Sequence, residues 1–386
     1  MIIGILNSGG DCPGINAVIE GFVSAAYRRG WRVIGFHDGF EGLLPMEGGR
    51  RYEILTPNVT HKIRAMGGTI LGTTNTGNFA VHVNKLGRAQ VEPTAMAKAK
   101  KTITALGLQA LAVIGGNGSA RTASLLAEEG LPVISIPKTI NNDLCPASDF
   151  TFGFQSAVSV VSESIDRIRT TANAHQRIMV IEVMGDLSGW IALHSGISSA
   201  ADVVLIPEIT FDLENVVECV KARKEKGQRE IIVVVAEGCR LNGQLVTVRN
   251  KENGDERLGG IGNRLCHALE DMLGIEARYC VLGHTQRGGS PCAYDRILGI
   301  RFGVEAVKLI EQNSFGRSVV LQGLNVGNIP IKEAIAEPRM VQENSQLMQT
   351  ARDLGIIFGD RKPNEISSLA TDPFDTSVSS EEGNKS

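Results

Sequence analysis

The chain has 386 residues, more than one hydrophobic core usually organises, so two domains with a core each are expected. Its 42% hydrophobic and 21% charged residues are ordinary for a globular protein, and a net charge of -3 gives no long-range attraction for nucleic acid or an anionic membrane. Phosphate recognition has to be local, through placed Arg, Lys and backbone N–H groups, which favours a small-molecule partner.

In chain order, short apolar runs alternate with helical patterns, the signature of an α/β architecture on parallel sheets. Ile2–Leu6 reads as a strand, followed by the turn Ser8-Gly9-Gly10-Asp11-Cys12-Pro13-Gly14-Ile15-Asn16 and a helix over Ala17–Arg29 that Gly30 caps. Arg32–Phe36 is a second strand, and after a glycine-rich stretch from Gly67 to Asn75 comes a helix over Thr94–Leu106 ending at Gly107. Ala110–Ile114 and Pro132–Ile136 have the composition of strands buried on both faces, with a helix over Ala120–Glu129 and Gly130 between them. A domain boundary is expected near Thr151-Phe152-Gly153-Phe154. Beyond it lie a helix over Ala157–Arg169, strands Ile178–Val183 and Val203–Ile206, and a helix over Leu213–Lys226 closed by Gly227. Strand Ile231–Ala236, helix Ile261–Leu273 with Gly274, strand Arg278–Leu282, helix Asp295–Gln312, strand Ser318–Leu321 and helix Glu343–Leu354 complete the series. The chain then becomes rich in Ser, Glu, Asp, Asn and Thr from Pro363, and residues 361–386 are expected to be a flexible tail.

The longest apolar stretch, Ile231 to Ala236, is far below the ~20 residues that span a bilayer. The seven cysteines are an odd number, widely spaced and without a CxxC pair, as free thiols in a reducing compartment would be. The opening Met1-Ile2-Ile3-Gly4-Ile5-Leu6-Asn7 has no basic region or long apolar run of a secretory signal, so a cytoplasmic location is expected.

Three loops carry the chemistry. Ser8–Asn16 runs from a strand into a helix, where glycines admit a close anion and the helix start adds unpaired N–H groups. Gly115-Gly116-Asn117-Gly118-Ser119 repeats that arrangement, and two such loops point to a polyphosphate donor. Pro137-Lys138-Thr139-Ile140-Asn141-Asn142-Asp143 follows the next strand. No GxxxxGK[ST] run is present, so none of these is a P-loop. Ala174-His175-Gln176-Arg177 and Gly283–Pro291 place His and Arg beside strands, and arginine forks converging there would hold a phosphorylated sugar.

These segments, with Met184-Gly185, resemble in order and interval the 6-phosphofructokinase family, and the likeness runs from Met1 to about Asp360. The resemblance implies two Rossmann-like three-layer α/β domains with mainly parallel sheets. On it, residues 1–152 with 285–337 form a phosphoryl-donor domain and 153–284 with 338–360 a sugar-phosphate domain. The implied reaction carries a phosphoryl group from ATP, with pyrophosphate as the alternative, to the 1-hydroxyl of fructose 6-phosphate with Mg²⁺. Donor contacts fall on Gly10, Asn75, Gly116, Asn117, Gly118, Ser119 and Lys138, with the metal at the Asn117 position. Sugar contacts fall on Thr139, Asn141, Asp143, Arg177, Met184, Gly185, Glu237, Arg278, His284 and Arg287, with catalysis at Gly10, Thr139, Asn141 and Asp143. Arg177 and Arg278 are expected from a neighbouring subunit of a homotetramer.

The chain departs from that pattern at the reacting centre. Asn117 and Asn141 stand where the family usually has the Mg²⁺ aspartate and the aspartate base, and Asp186 and Asn75 stand in place of arginines. An amide cannot act as a carboxylate base, and losing a general base typically costs ~10²–10⁴ in rate. A carboxylate near the transferring group adds repulsion where the transition state needs positive charge. Gly118 is similar to ATP-using members because it leaves room beyond the transferring phosphate, whereas Lys138 occurs in both classes. In the first helix Glu20 and Ser24 replace effector-binding arginines, while Arg169 persists.

Overall fold

The computed structural model describes residues 1–45, 49–74, 77–79, 82–83, 89–249 and 256–362. Asn75 and 363–386, most of the expected tail, lie outside the described residues.

Among the described residues the chain builds two large sheets, with three two-stranded ribbons beside them. Strands β1 (Ile2–Ser8), β2 (Arg32–Phe36), β3 (Tyr52–Leu55), β4 (Ala110–Gly115) and β5 (Val133–Pro137) begin the first. Strands β6 (Ile178–Val183), β7 (Val203–Leu205), β8 (Ile231–Ala236) and β9 (Ala277–Val281) form a second, in the order β9-β6-β8-β7. The chain then returns with β10 (Arg317–Gln322) and β11 (Asn325–Pro330), so the first sheet runs β11-β10-β5-β4-β1-β2-β3. The second sheet is parallel throughout, and the first is parallel except for the edge pairs β2–β3 and β10–β11. Every residue of β4, β5 and β8 is buried, as continuous apolar runs require when helices cover both faces.

Helices α1 (Ile15–Tyr27), α2 (Pro93–Ala105), α3 (Asn117–Glu128), α4 (Phe154–His175), α5 (Trp190–Ser198), α6 (Leu213–Glu225), α7 (Ile261–Leu273), α8 (Ala293–Glu311) and α9 (Gln346–Asp353) connect the strands. Three spans differ in substance from expectation, α9 among them, which starts at Gln346 and not at Glu343. Asn117, Gly118 and Ser119 are the first turn of α3 and not a preceding loop, and α4 extends three residues earlier and six later than its amphipathic segment. Helix α5 was not expected, because Trp190, Ile191, Ala192 and Leu193 are buried in succession and give no one-sided stripe. The edge strands β3 and β11 were likewise unexpected.

Glycine sets how the returning chain docks. A Cβ on Gly21 of α1 would lie 2.5 Å from the Ile300 carbonyl oxygen, and one on Gly303 of α8 would lie 2.3 Å from that of Val18. The two helices therefore meet backbone to backbone, which brings the segment just before α8, including Arg287, against the loop after β1.

A second junction fixes the loop after β5. The Arg339 N–H donates to the Asp143 carbonyl at 2.9 Å, and the Trp190 indole N–H donates to the Arg339 carbonyl at 2.9 Å. The Arg339 guanidinium lies 4.2 Å over the Trp190 ring. His194 of α5 packs edge-on to Phe154 at 5.0 Å and Phe150 at 6.2 Å. Burial, with the Arg339 charge adding to it, lowers the His194 imidazole to about 4.

Between pH 6.5 and 4 the unfolded chain thus takes up a proton at His194 that the folded chain refuses. Stability is expected to fall as pH drops through that window, and His194→Phe should flatten this dependence in urea unfolding measured at pH 7 and pH 5.

Candidate active site

Register brings the three loops to one level. Ser8 is opposite Gly115 in the β1–β4 ladder, and Gly115 is opposite Pro137 in the β4–β5 ladder, so each chain leaves the sheet at the same edge. That is the carboxyl end of parallel strands, where open α/β sheets bind ligands. A cavity of about 590 Å³ opens there.

The loop after β1 turns at Gly9, whose φ is 84°, and Gly9 N–H donates to the Thr74 carbonyl at 3.0 Å. A Cβ on Gly10 would lie 3.2 Å from Arg287 Nη1. Arg287 Nη1 itself donates to the Asp11 carbonyl at 3.3 Å. The loop after β4 ends in the exposed N-terminal turn of α3, with Gly116 at the N-cap. Glycine at 115 and 118 serves opposite ends. A Cβ on Gly115 would fall 2.2 Å from Ser119 Cβ, whereas one on Gly118 would meet none of the described residues within 4 Å.

Lys138 joins the loops. It is 2% exposed, its Nζ donates to the Ser8 carbonyl at 2.9 Å and to the Gly10 carbonyl, and its N–H donates to the Gly115 carbonyl at 2.9 Å. Burial lowers its ammonium to about 8. A buried Cys12 thiol beside it is pushed up to about 12 by the same desolvation.

The loop after β5 is held by its own side chains. Thr139 Oγ1 donates to Asp143 Oδ1 at 3.0 Å and accepts from the Asn141 N–H at 3.0 Å. Asn142, with φ of 56°, is buried and accepts the Thr151 N–H at 3.1 Å. Asn141 Oδ1 is buried and has no hydrogen-bond partner among the described residues. Burial raises the Asp143 carboxyl, with the Asp186 charge pushing the same way against hydrogen bonds from Thr139 and Asn141.

The opposite wall comes from the second sheet. Beyond β6, Gly185 and Asp186 donate their N–H groups to Glu237 Oε1 at 3.2 and 3.0 Å, and burial raises the Glu237 carboxyl. Asp186 has a φ of 54° and lines the cavity. The Met184 N–H donates to Gln286 Oε1 at 3.3 Å, and His284 is exposed on the same short turn as Arg287.

Of the expected residues, Gly10, Gly116, Asn117, Gly118, Ser119, Lys138, Thr139, Asn141, Asp143 and Arg287 line the cavity. Met184, Gly185, Glu237 and His284 follow strands β6, β8 and β9 at the carboxyl end of the second sheet and are not among the residues lining the cavity. Arg177 and Arg278 do not join them. They lie at the amino end of β6 and β9, roughly 17 Å down the strands, where Arg177 Nε bonds Glu276 at 2.7 Å and Arg278 bonds Glu276 and, at 3.6 Å, Glu270. Phe40, Arg121, Thr122 and Leu144 also line the cavity although no motif contains them, and buried Gln286 lies within Gly283–Pro291, where an amide between His284 and Arg287 carries no signal of its own. Of the effector-region residues, Glu20 is buried and paired with Arg64, whose Nε donates to it at 3.0 Å, and Arg169 donates to the Ala200 carbonyl at 2.8 Å and pairs with Glu230.

Two glycine turns and a buried lysine on one edge, facing a hydroxyl- and carboxylate-bearing loop, define an α/β site for an anion beside a polar acceptor. The phosphofructokinase family model matches residues 2–310. An ATP-dependent 6-phosphofructokinase of Chloroflexus aggregans is 46% identical over 358 residues, covering 93% of this chain and 98% of that protein. One of Spirochaeta thermophila is 42% identical over 367 residues, covering 92% and 97%. The T-state phosphofructokinase of Pichia pastoris superposes at a TM-score of 0.75 with 28% identity over 92% of this chain and 36% of that one. The chain belongs to the phosphofructokinase family.

Gly118→Ala tests the assignment of the open side of the cavity. Its Cβ meets none of the described residues within 4 Å, so the fold should be retained or stabilised by about 0.4–1 kcal/mol, as unstrained Gly→Ala changes are. Nucleotide binding by calorimetry should weaken all the same, whereas Gly115→Ala should lower the thermal midpoint.

Proposed function

We propose that the chain is an ATP-dependent 6-phosphofructokinase, carrying the terminal phosphoryl group of ATP to the 1-hydroxyl of fructose 6-phosphate in glycolysis. The observation that carries this reading is the convergence of the Gly10 and Gly118 loops with the Thr139–Asp143 loop on one cavity. Backbone N–H groups at the start of α3, with the Lys138 and Arg287 charges, suit the donor's phosphates. Room beside Gly118, reaching to Phe40, suits a nucleoside beyond them and favours ATP over pyrophosphate. Thr139, Asn141 and Asp143 meet the sugar's reacting end. Met184, Gly185, Glu237, His284 and Arg287 hold the rest of it.

Among the described residues no carboxylate lines the cavity on the two donor loops, and Asn117 offers only a neutral amide oxygen. That set fits Mg²⁺ carried on the ATP phosphates, where the ion would neutralise charge, better than an ion resident in the protein. Catalysis then rests on positioning and on Lys138 and Arg287 as fixed positive charge.

A second copy would complete the sugar site. Arg177 and Arg278 point away from their own cavity's end of the sheet, and β9 is an edge strand on which Tyr279 and Val281 are 44% and 50% exposed. A homotetramer in the cytoplasm, with Arg177 and Arg278 lent across an interface, accounts for both features. In this reading 1–152 with 285–337 handle the donor and 153–284 with 338–360 the sugar phosphate. A sugar-phosphate-binding homologue without turnover is the second reading, favoured by Asn117, Asn141 and Asp186.

Formation of fructose 1,6-bisphosphate in a coupled assay, with ATP and with pyrophosphate, tests the proposal; product is expected with ATP. Calorimetry should show fructose 6-phosphate binding weakened at least tenfold, or ~1.4 kcal/mol, in Arg278→Ala. Sugar binding without product from either donor would select the second reading.

A further inference from the structure

Asn141 stands where the sugar hydroxyl would meet a base, yet an amide has no proton affinity to offer at neutral pH. Its Oδ1 is a buried acceptor with no partner among the described residues, so it can receive a hydroxyl hydrogen bond and orient it. Among the described residues lining the cavity, the acidic side chains are Asp143 and Asp186. Asp186 is exposed and solvated. Asp143 is half-buried on the same loop as Asn141, with Oδ1 held at 3.0 Å by the Thr139 hydroxyl.

We infer that Asp143 takes over the work of the missing aspartate and accepts the proton of the sugar hydroxyl, with Thr139 as its positioning residue and Asn141 orienting the hydroxyl. The inference rests on the phosphoryl-transfer reading above. In the step, the sugar oxygen bonds to the terminal phosphorus of ATP, and the bond from that phosphorus to the bridging oxygen breaks, its electron pair leaving on ADP. The hydroxyl O–H bond breaks, and its proton ends on the Asp143 carboxylate. Burial and the facing Asp186 both raise the proton affinity of Asp143, while hydrogen bonds from Thr139 and Asn141 oppose them. Arg121, Lys138 and Arg287 are the other charged residues among those described along the cavity, and Arg339 touches Asp143 through its backbone N–H. A carboxylate shifted towards the working pH is the better general base.

A double-mutant cycle on the full-length chain tests this. Asp143→Asn should lower kcat at least ~100-fold while fructose 6-phosphate still binds by calorimetry. In an Asn141→Asp background, which supplies a second base, the same change should cost less than ~10-fold, a strong non-additivity. Asp186→Asn should move the acid limb of kcat to lower pH, since it removes a charge that raises Asp143. Equal losses from Asp143→Asn in both backgrounds would assign Asp143 a structural role and overturn the inference. So would a parent chain that is inactive until Asn141→Asp restores turnover, although the kinase reading would stand. Inactivity of both the parent and Asn141→Asp with either donor would overturn that reading and the inference with it.

Discussion

The site depends on one constraint, the shared register of three parallel strands. Because Ser8, Gly115 and Pro137 stand in one row, three loops leave the sheet together and their backbone groups converge. Lys138 turns that convergence into a fixed shape by donating from one buried ammonium to carbonyls of the first loop, while its own N–H closes onto the second. The cost of burying this charge shows in its depressed affinity for a proton. In return the cradle keeps a cation where an incoming phosphate chain would lie.

The rest of the cavity is arranged relative to that edge. Backbone contact of α1 with α8 brings Arg287 to the loop after β1, and the Arg339–Trp190 junction ties the end of the Thr139–Asp143 loop to the second sheet. Each junction sets a distance on which transfer in line would depend, the second through the Arg339 N–H on the carbonyl of cavity-lining Asp143. The cavity's electrostatics are redistributed compared with the family's usual pattern. Carboxylates are missing at 117 and 141, one has appeared at 186, and Asp143 keeps its place under the influence of Asp186.

Much of the fold was legible because its central strands are apolar without interruption. Ile178–Val183, Ile231–Ala236 and helix Ile261–Leu273 fell on their expected spans, and Gly30, Gly107, Gly130, Gly227 and Gly274 all take the positive φ expected of helix ends. The edges were harder to read, since Tyr52–Leu55 and Asn325–Pro330 bury little and carry mixed side chains. At α3 the poor helix formers Asn117 and Gly118 are helical because the parallel crossover starts there, a tertiary demand that overrides local preference. The site was legible as motifs. What they could not convey is that Arg177 and Arg278 sit at the far end of their strands, or that Phe40 and Arg121 face the same cavity as Gly118. Those facts depend on which strands neighbour one another and on their direction, which periodicity does not encode.

Nucleotide and sugar affinities of Lys138→Met, measured separately by calorimetry, test the central claim that this buried lysine builds the donor half of the site. The account predicts that ATP binding weakens at least tenfold, or ~1.4 kcal/mol, while fructose 6-phosphate binding keeps its parent value. Unchanged ATP affinity, or an equal loss for both ligands, would contradict it.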